Sequence, residues 1–342
     1  MSRVLIVGAG LTGGVCACLL RRDLADKVQI VVWDKSRGTG GRMSTSRSPA
    51  DPSCIADLGA QYITATPHYA KQHKSFYEEL LKRGLLKPLA APVEGMLLRE
   101  EGLKNYVTPL GVSSIVKHYL RESGAEVVFQ RHVTHLYHRG PGWEVHGKGG
   151  VQEQFDVVVL TMPVPQILQL QGDVAQLMTG CQRQQLEGVC YSSRFALGLF
   201  YSAGADVPVP WAAKYVTENS CIRFIAVDNK KRSLGQSAIK LQPFCCSVPF
   251  GLEHLEEPVE AVQPVIMQEL EKVLPGLPSP ASVKCQKWRY SQVTRSVPDC
   301  PGQMTLLARP LLACGGDGFT HSNFDGCVES ALKLAEVVKS SL

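Results

Sequence analysis

The stretch VLIVGAGLTGG, residues 4–14, follows Met-Ser-Arg and permits two interpretations. An apolar run after a basic start is typical of a secretory signal, with Ala17 as a small residue near a cleavage point. The same run is typical of a buried strand, since Gly8, Gly10 and Gly13 follow it in the G-x-G-x-x-G spacing of a nucleotide-binding turn. The residues beyond the glycines decide between the two.

The downstream pattern favours the nucleotide-binding turn. The apolar stretch 15–20 predicts a helix, and VQIVVWD, residues 28–34, predicts a second strand that ends in an acid. Asp34 lies about 20 residues beyond the last glycine, where a carboxylate binds the ribose of a dinucleotide. The sequence therefore predicts a complete βαβ unit, and we expect residues 4–14 to remain in the mature protein.

Length and charge narrow the class of protein. The chain of 342 residues is long enough for two domains and a large core. Its net charge of +5 is modest and spread along the chain, which argues against a nucleic-acid-binding protein. The densest cationic run, NKKR at 229–232, is interpreted as a solvated turn. No apolar stretch approaches the ~18 residues of a membrane span.

The twelve cysteines do not form a disulfide or metal pattern. Cys16 and Cys18 share the first helix, Cys245 adjoins Cys246, and no C-x-x-C or zinc spacing occurs. None of the four asparagines stands in an N-x-[ST] glycosylation site. The sequence alone therefore predicts reduced cysteines and no metal, and it favours a cytoplasmic location.

Further elements are predicted along the chain. IADLGAQYIT, residues 55–64, predicts one strand, and helical spacing predicts helices over 68–84 and 113–123. Three segments separated by glycine and proline predict a β-meander: AEVVFQRHVTHLYH (125–138), GWEVHG (142–147) and FDVVVLTMPVP (155–165).

The C-terminal region repeats the order of strand, glycine turn and helix that is predicted at the N-terminus. A strand over 311–314 leads into a glycine turn with Asp317, and Ser322 and Asp325 have the S-x-x-D spacing of a capping box. The helix that follows is predicted to bury one face, made of Val328, Ala331, Leu332 and Ala335. We predict one discontinuous domain over 1–75, 108–165 and 290–342, and a second over 76–107 and 166–289.

Five segments together resemble the flavin-dependent amine oxidase superfamily over nearly the whole chain: VGAGLTG, VVWDKSRGTGGRM, ADLGAQYIT, FDVVVLTMPVP and LLACGGDGF. The resemblance implies an α/β fold, with a Rossmann-like FAD-binding domain that combines a parallel sheet with a β-meander. It also implies a second, mixed α+β substrate domain, as in p-hydroxybenzoate hydroxylase-like flavoproteins. FAD is expected to be non-covalent, because ACGGDGF lacks the S-G-G-C-type segment that carries the covalent link in some relatives.

The resemblance also assigns residues to the cofactor, position by position. The residues implied are Gly8, Gly10, Thr12 and Gly13 for the pyrophosphate, Asp34 for the adenosine ribose, Gly41 and Arg42 beside the phosphates and flavin, Gln61 and Tyr62 along the isoalloxazine, Val133 for the adenine, Asp317 for the ribityl chain, and Asp325 in the helix turn aimed at the flavin C2 carbonyl.

Within the superfamily, GAQYITATPHYA, QKWRYSQVT and CGGDGFTHSNFDGC are similar to a mammalian branch. That similarity implies oxidation of 2- and 6-dihydro isomers of NAD(P)H to NAD(P)+, by hydride transfer to flavin N5, with O2 reduced to hydrogen peroxide. Hydride transfer from such a ring requires positioning and no general base. The candidate catalytic residues are Tyr62, Trp288 and Tyr290, of which the last two are predicted to share one strand face.

Two alternatives stay open from the sequence. One is oxidation of catecholamine-type amines, which is the activity in the superfamily name. The other is a secreted, FAD-containing signalling ligand, since the branch implies secretion although the cysteine usage favours the cytoplasm. The preference between NAD and NADP isomers and the oligomeric state are not encoded in any motif.

Overall fold

The computed structural model describes residues 1–96, 101–202, 205, 207–233 and 240–342, with the side chains of 240–245 excepted. The chain divides into two compact units. The first unit comprises Met1–Gly41, Ile115–Cys190 and Val293–Leu342, and the second comprises Arg42–Ser114 and Tyr191–Gln292. None of the described helices is long and apolar enough to cross a membrane.

The first unit contains a six-stranded sheet beside a small meander. The strands of the large sheet, in spatial order, are Gln303–Ala308, Leu311–Gly315, Val157–Leu160, Ser2–Val7, Val28–Trp33 and Glu126–Val128. The meander has the strands Val151–Phe155, Gly142–Gly147, Val133–Arg139 and Gln171–Gly172. The helices are Leu11–Leu24, Ser113–Ser123, Val164–Leu168, Val174–Leu177, Gly180–Glu187 and Phe324–Ser341, with 3-10 turns at Ala25–Lys27 and Asp317–Phe319 and further strands at Cys190–Tyr191 and Val293–Arg295.

The predicted βαβ unit is present and forms the centre of the large sheet. The strand Ser2–Val7 pairs in parallel with Val28–Trp33 on one side and with Val157–Leu160 on the other. Val4, Leu5 and Ile6 are fully buried, as a strand covered on both faces requires. The predicted helix over 113–123 is confirmed at Ser113–Ser123.

Two predictions for the first unit are corrected. The segment 125–138 divides between two sheets, because Glu126–Val128 joins the parallel sheet and Val133–Arg139 the meander. The segment 155–165 is also wrong as a meander strand, since Val157–Leu160 lies beside the first strand of the parallel sheet. The third meander strand is Val151–Phe155, a mostly polar segment that a pattern of apolar residues does not predict as a strand.

The start of the last helix also differs from the prediction. Its N-cap is Asn323, whose Oδ1 accepts the Gly326 N–H at 2.6 Å, so the capping box at Ser322 is wrong. Ser322 instead accepts the Val293 N–H at 2.7 Å. The predicted buried face is confirmed at Val328, Ala331 and Ala335 but not at Leu332, which is only partly buried. The face also includes Phe324, Leu334 and Val338.

The second unit is a mixed α+β structure. Its main sheet has the spatial order Ser282–Trp288, Arg194–Phe200, Lys240–Cys246, Ile222–Val227, Ala213–Tyr215 and Val93–Glu94. Short strands lie at Thr45–Arg47, Ile55–Asp57, Ile63–Ala65, Lys87–Pro88 and Lys104–Val107. The helices are Pro67–Gln72, Lys74–Lys82, Asp228–Lys231, Val248–Glu253 and Val259–Val273, with a 3-10 turn at Gly41–Met43.

Three predictions for this unit are corrected. The segment 55–64 forms two short strands, because the chain leaves the extended conformation between Asp57 and Ile63. The helix predicted over 68–84 is interrupted at His73, which ends one helix and caps the next. The run 229–232 is not a solvated turn, since Lys231 is 2% and Arg232 is 3% exposed.

The compact units divide the chain differently from the predicted domains. Residues 42–75 pack within the second unit, whereas the sequence groups them with the cofactor domain. Residues 166–190 pack within the first unit. The assignment of one domain to FAD and the other to substrate stays a prediction.

Candidate functional site

Four strands of the parallel sheet end at one edge of the first unit. Because these strands run in the same direction, their carboxyl ends place Gly8, Asp34, Thr161 and Gly316 along that edge. Open parallel sheets bind ligands in the crevice beyond the carboxyl ends of their strands. We call residues 8–14 the nucleotide loop.

The backbone of the nucleotide loop depends on glycine at two positions. Gly8 has φ +120°, and a Cβ there would stand 2.5 Å from Thr161 Oγ1. A Cβ on Gly13 would stand 2.0 Å from the Gly8 carbonyl oxygen, so only glycine lets the helix pack this close to the strand end. At Gly8 and Gly13 the backbone therefore has the geometry that the G-x-G-x-x-G spacing predicts.

The loop fits a pyrophosphate. A Cβ on Gly10 would meet no protein atom within 4 Å, so the space above this residue is open. The Thr12 side chain is buried, and its Oγ1 has no hydrogen-bond partner within the described protein. The helix that begins at Leu11 has no acidic residue in its first turn, which favours an anion at its N-terminus.

Asp34 is held at the end of the second strand. Its Oδ2 accepts the Ala9 N–H at 2.7 Å, and its Oδ1 accepts the Ser36 N–H at 2.7 Å. The carboxylate thereby joins the nucleotide loop to the second strand. A carboxylate oxygen has lone pairs beyond these bonds, which suits a ribose hydroxyl as an additional donor.

The remaining predicted residues of the first unit lie at separate points. Gly41 has φ +55°, and a Cβ there would stand 4.0 Å from the Gly10 Cα, so this glycine lies against the nucleotide loop. Asp317 is buried and accepts a hydrogen bond from the Ser322 hydroxyl. Asp325 is fully buried in the first turn of the last helix, and Val133 is buried at a β-bulge of the meander.

In the second unit, Gln61 is held by both ends of its amide. Its Nε2 donates to the carbonyl oxygens of Asp57 at 2.5 Å and Gly59 at 3.0 Å. Its Oε1 accepts from Lys231 Nζ at 3.0 Å. These partners fix which end of the amide is oxygen and engage its Nε2 in two hydrogen bonds.

Lys231 belongs to a buried charge tetrad, which we define as Asp57, Asp228, Lys231 and Arg232. Arg232 Nη2 lies 2.5 Å from Asp57 Oδ2 and 2.8 Å from Asp228 Oδ2, and Lys231 Nζ lies 3.2 Å from Asp228 Oδ1. All four side chains are 1% exposed. The two cations and two carboxylates balance, as charges removed from water must.

Burial is the largest influence on the pKa of two members of the tetrad, Asp57 and Lys231. It raises the pKa of the Asp57 carboxyl, although the Arg232 guanidinium opposes the rise. It lowers the pKa of the Lys231 ammonium, although Asp228 and Asp57 oppose the fall. Thr45 Oγ1 and the Val112 N–H also donate to Asp57, at 2.7 and 3.1 Å.

Tyr62 pairs with a residue that the sequence does not single out. Its phenol oxygen lies 2.5 Å from that of Tyr215, and the Tyr215 ring packs edge-on against Phe224 at 4.9 Å between centroids. Tyr62 and Tyr215 are both partly exposed. The pair therefore offers two aromatic rings joined by a hydrogen bond in which either phenol can be the donor.

The other predicted catalytic residues lie in two further groups. Trp288 Nε1 donates to the Leu58 carbonyl at 2.7 Å, and its ring packs against the cluster that contains Leu58. Tyr290 lies beyond the end of the strand Ser282–Trp288, so the prediction that the two rings share a strand face is wrong. Tyr290 packs edge-on against Tyr191 at 5.4 Å, and the Arg42 guanidinium lies 5.9 Å from the Tyr191 ring centroid.

Sequence reasoning missed Tyr215 and the charge tetrad. No local spacing links Asp57 to Arg232, because their contact spans 175 residues. The one available signal was Asp228, an acid directly after the apolar strand Ile222–Val227 with cations within the next turn, since a charged run that follows a buried strand is not always solvated. Among the described residues, no cluster of His, Cys, Asp and Glu side chains could hold a metal ion.

Comparison with known proteins agrees with the nucleotide loop. A family model of an NAD(P)-binding Rossmann-like domain matches residues 6–80. Putrescine oxidase bound to putrescine superposes with a TM-score of 0.70 at 12% identity, covering 99% of each chain. A protein of Exiguobacterium sp. 255-15 superposes with a TM-score of 0.74 at 13% identity, covering 100% of this chain and 99% of that one. These likenesses confirm the fold class.

A curated relative is far more similar in sequence. Renalase from Mus musculus is 54% identical over 343 residues, which cover 99% of this chain and 99% of the mouse protein. This identity and the Rossmann-type fold together support a flavin-dependent oxidoreductase. With so much of both chains aligned, the chain belongs to the renalase family.

Proposed function

We propose that the protein is an oxidase with non-covalent FAD that converts the 2- and 6-dihydro isomers of NAD(P)H to NAD(P)+, with O2 reduced to hydrogen peroxide. When bound, FAD supplies N5 as the hydride acceptor and returns the electrons to O2. Membership of the renalase family and the nucleotide loop support the flavin part of the proposal.

In the first unit, the nucleotide loop binds the pyrophosphate. The backbone N–H groups after Gly10 face an anion, and the buried Thr12 hydroxyl gains the partner that it lacks within the described protein. Asp34 accepts a ribose hydroxyl. Asp317, Asp325, Gly41 and Val133 keep the cofactor contacts that the resemblance assigns to them.

The charge tetrad supports our choice of a dihydronicotinamide, rather than an amine, as the substrate. A primary amine is a cation at neutral pH, and it would be drawn to an unneutralised carboxylate. Gln61 accepts from the Lys231 ammonium, and the carboxylates of that tetrad, Asp57 and Asp228, are already paired with Lys231 and Arg232. The described surroundings of Gln61 thus favour a planar ring over an ammonium group.

Hydride transfer from a dihydronicotinamide also needs no base. The ring becomes an aromatic pyridinium as the hydride leaves, so no proton has to be removed from carbon or nitrogen. What the chain must supply is orientation. We assign that to the flat amide of Gln61 and the rings of Tyr62, Trp288 and Tyr290, and we place the Tyr62 and Tyr215 phenols on the carboxamide, which both accepts and donates hydrogen bonds.

We include secretion in the proposal only because the chain belongs to the renalase family. Comparing the protein retained by cells with the protein in the medium tests it, and a product in the medium that still carries residues 4–14 and FAD is the expected result.

The proposal is tested by an anaerobic titration of the purified yellow protein. Stepwise addition of 6-dihydro-NAD should bleach the flavin at one equivalent and release one equivalent of NAD+, and readmitted O2 should restore the colour with one equivalent of peroxide. A catecholamine added in its place should leave the flavin oxidised. Bleaching by the catecholamine together with no NAD+ from either dihydro isomer would overturn the proposal in favour of amine oxidation.

A further inference from the structure

Two cysteines in the core of the second unit lie in contact. The Sγ atoms of Cys221 and Cys246 are 3.8 Å apart. The two residues are 1% and 0% exposed, and they belong to the hydrophobic cluster that also holds Ile222 and Ile225. Neither residue forms a disulfide in this structure.

The backbone on either side of this pair is fixed. Asn219 Oδ1 accepts the N–H groups of Cys221 at 2.9 Å and Ile222 at 2.7 Å. The Ser247 N–H donates to the Cys221 carbonyl at 2.7 Å, and Ile222 stands opposite Cys246 in the antiparallel ladder. These hydrogen bonds hold the two backbones side by side, and a disulfide requires the sulfurs to move from 3.8 Å to ~2.05 Å apart.

We propose that Cys221 and Cys246 form an intramolecular disulfide when the protein meets hydrogen peroxide, the product of its own proposed oxidase reaction. One thiolate attacks a peroxide oxygen and the O–O bond breaks, which gives a sulfenic acid and hydroxide. The second thiolate then displaces hydroxide from that sulfur and the S–S bond forms. In total, two thiols lose two protons and two electrons, and one peroxide becomes two waters.

Burial sets the pace and the selectivity of this reaction. The exposed thiols of Cys181 and Cys300 meet peroxide first, but an exposed thiol is open to further oxidation and to other thiols. The buried pair reacts more slowly, during openings of the core, and the sulfenic acid is trapped by the neighbouring thiol before a second peroxide arrives. The inference rests on the proposed function only for the source of the peroxide.

Peptide mapping under non-reducing conditions tests the proposal. Full-length, FAD-loaded protein is treated with excess hydrogen peroxide, alkylated and digested with trypsin. The expected product is a cross-link between the peptide of Cys221 and the peptide that contains Cys246, lighter by two hydrogens and released by reductant. Absence of this product while Cys181 is fully oxidised would overturn the proposal.

The adjacent Cys245 provides a matched control, because it lies in the same tryptic peptide. Cys245→Ser should keep the cross-link, and Cys246→Ser should abolish it, with Cys221→Ala as a second variant in case the serine disturbs folding. A cross-link that survives in Cys246→Ser and disappears in Cys245→Ser would refute the pairing. Since the closed loop spans 25 residues, the oxidised protein should melt about 5 °C or more higher than the reduced one.

A second arm separates this proposal from the oxidase proposal. Turnover of 6-dihydro-NAD in air should form the same cross-link, and catalase should prevent it. A cross-link with added peroxide, but no peroxide released from either dihydro isomer, would leave the disulfide standing and overturn the oxidase. Peroxide release at full rate with no cross-link in either arm would overturn the disulfide and leave the oxidase standing.

Discussion

Replacing Arg232 by leucine tests the charge tetrad, because this one side chain bridges both buried carboxylates. Arg232 Nη2 lies 2.5 Å from Asp57 Oδ2, and its Nε donates to Asp228 Oδ1 at 2.9 Å. In Arg232→Leu, two carboxylates share a buried site with one ammonium. Breaking a buried ion pair by removal of one partner costs about 3 to 5 kcal/mol, which corresponds to a fall in Tm of roughly 10 °C for a unit of this size.

The loss of stability in Arg232→Leu should be smaller at low pH than at high pH. Burial raises the pKa of the folded Asp57 carboxyl above its ordinary 3.8, and Arg232 opposes the rise. A carboxyl whose folded pKa is raised contributes stability at low pH, and that contribution is lost as pH rises through the folded pKa. Removing Arg232 raises this pKa further, so the variant should be closer to the wild type at pH 5 than at pH 8.

The assay is urea unfolding of the FAD-loaded protein at pH 5, 6.5 and 8, with Arg289→Leu as the matched control. Arg289 makes two 2.8 Å contacts with Glu256, but that pair is exposed and should contribute little. Equal effects of the two substitutions, or an Arg232→Leu deficit that shrinks as pH rises, would refute the reasoning.

Three further outcomes are expected. Gly10→Ala should leave the Tm of the apoprotein unchanged, since its Cβ would meet no protein atom within 4 Å, but it should lower FAD occupancy because the Cβ would fill space left open for the pyrophosphate. Gly14→Ala, whose Cβ would touch Val116 instead, is the control. Arg42→Ala should weaken FAD binding about tenfold or more, as expected for loss of a charge-assisted phosphate contact of about 1.5 to 3 kcal/mol; released FAD measures it, and full occupancy at nanomolar protein would contradict it. Tyr215→Phe should raise KM for the dihydro isomers and leave FAD content unchanged, whereas Phe224→Leu, beside the same ring, should not change KM.

The parts of the fold that short-range patterns encode were predictable. The glycines at 8, 10 and 13 and the acid at 34 are within one βαβ unit, so their spacing alone specifies the turn, the close approach and the carboxylate. The structure agrees because each role depends on local backbone geometry, such as the 2.0 Å approach at Gly13.

Long-range partners were not predictable in this way. The strand Val151–Phe155 carries three consecutive polar residues between its apolar ends, and its exposure alternates because one face of the meander is solvated. The neighbouring Val157–Leu160 is uniformly apolar because it lies inside the parallel sheet. A prediction from apolar runs alone therefore assigns Phe155 and Val157–Leu160 to one strand. The sequence alone predicts that the cations of the tetrad are solvated, because the carboxylate of Asp57, which pairs with Arg232, lies 175 residues away.

The break between Asp57 and Ile63 has a comparable origin. An alternating segment predicts one continuous strand, but the Gln61 amide folds back onto the Asp57 and Gly59 carbonyls and so ends the ladder. The same contacts position Gln61 for the role that we propose. The departure from the predicted strand thus lies at a candidate site residue.

The central claim is hydride transfer from dihydronicotinamide isomers, and stopped-flow flavin reduction between pH 6 and 9 tests it most directly. With 2- and 6-dihydro-NAD the rate of reduction should vary little over this range, because no proton has to leave the substrate. Ordinary 4-dihydro-NADH should be slower by about 10²-fold or more, since its hydride is misplaced by at least ~1 Å. An amine substrate with a pKa near 10 would react about tenfold faster per pH unit, since only its neutral form is oxidised. Rapid reduction by a catecholamine with that slope, and none by the dihydro isomers, would contradict the account.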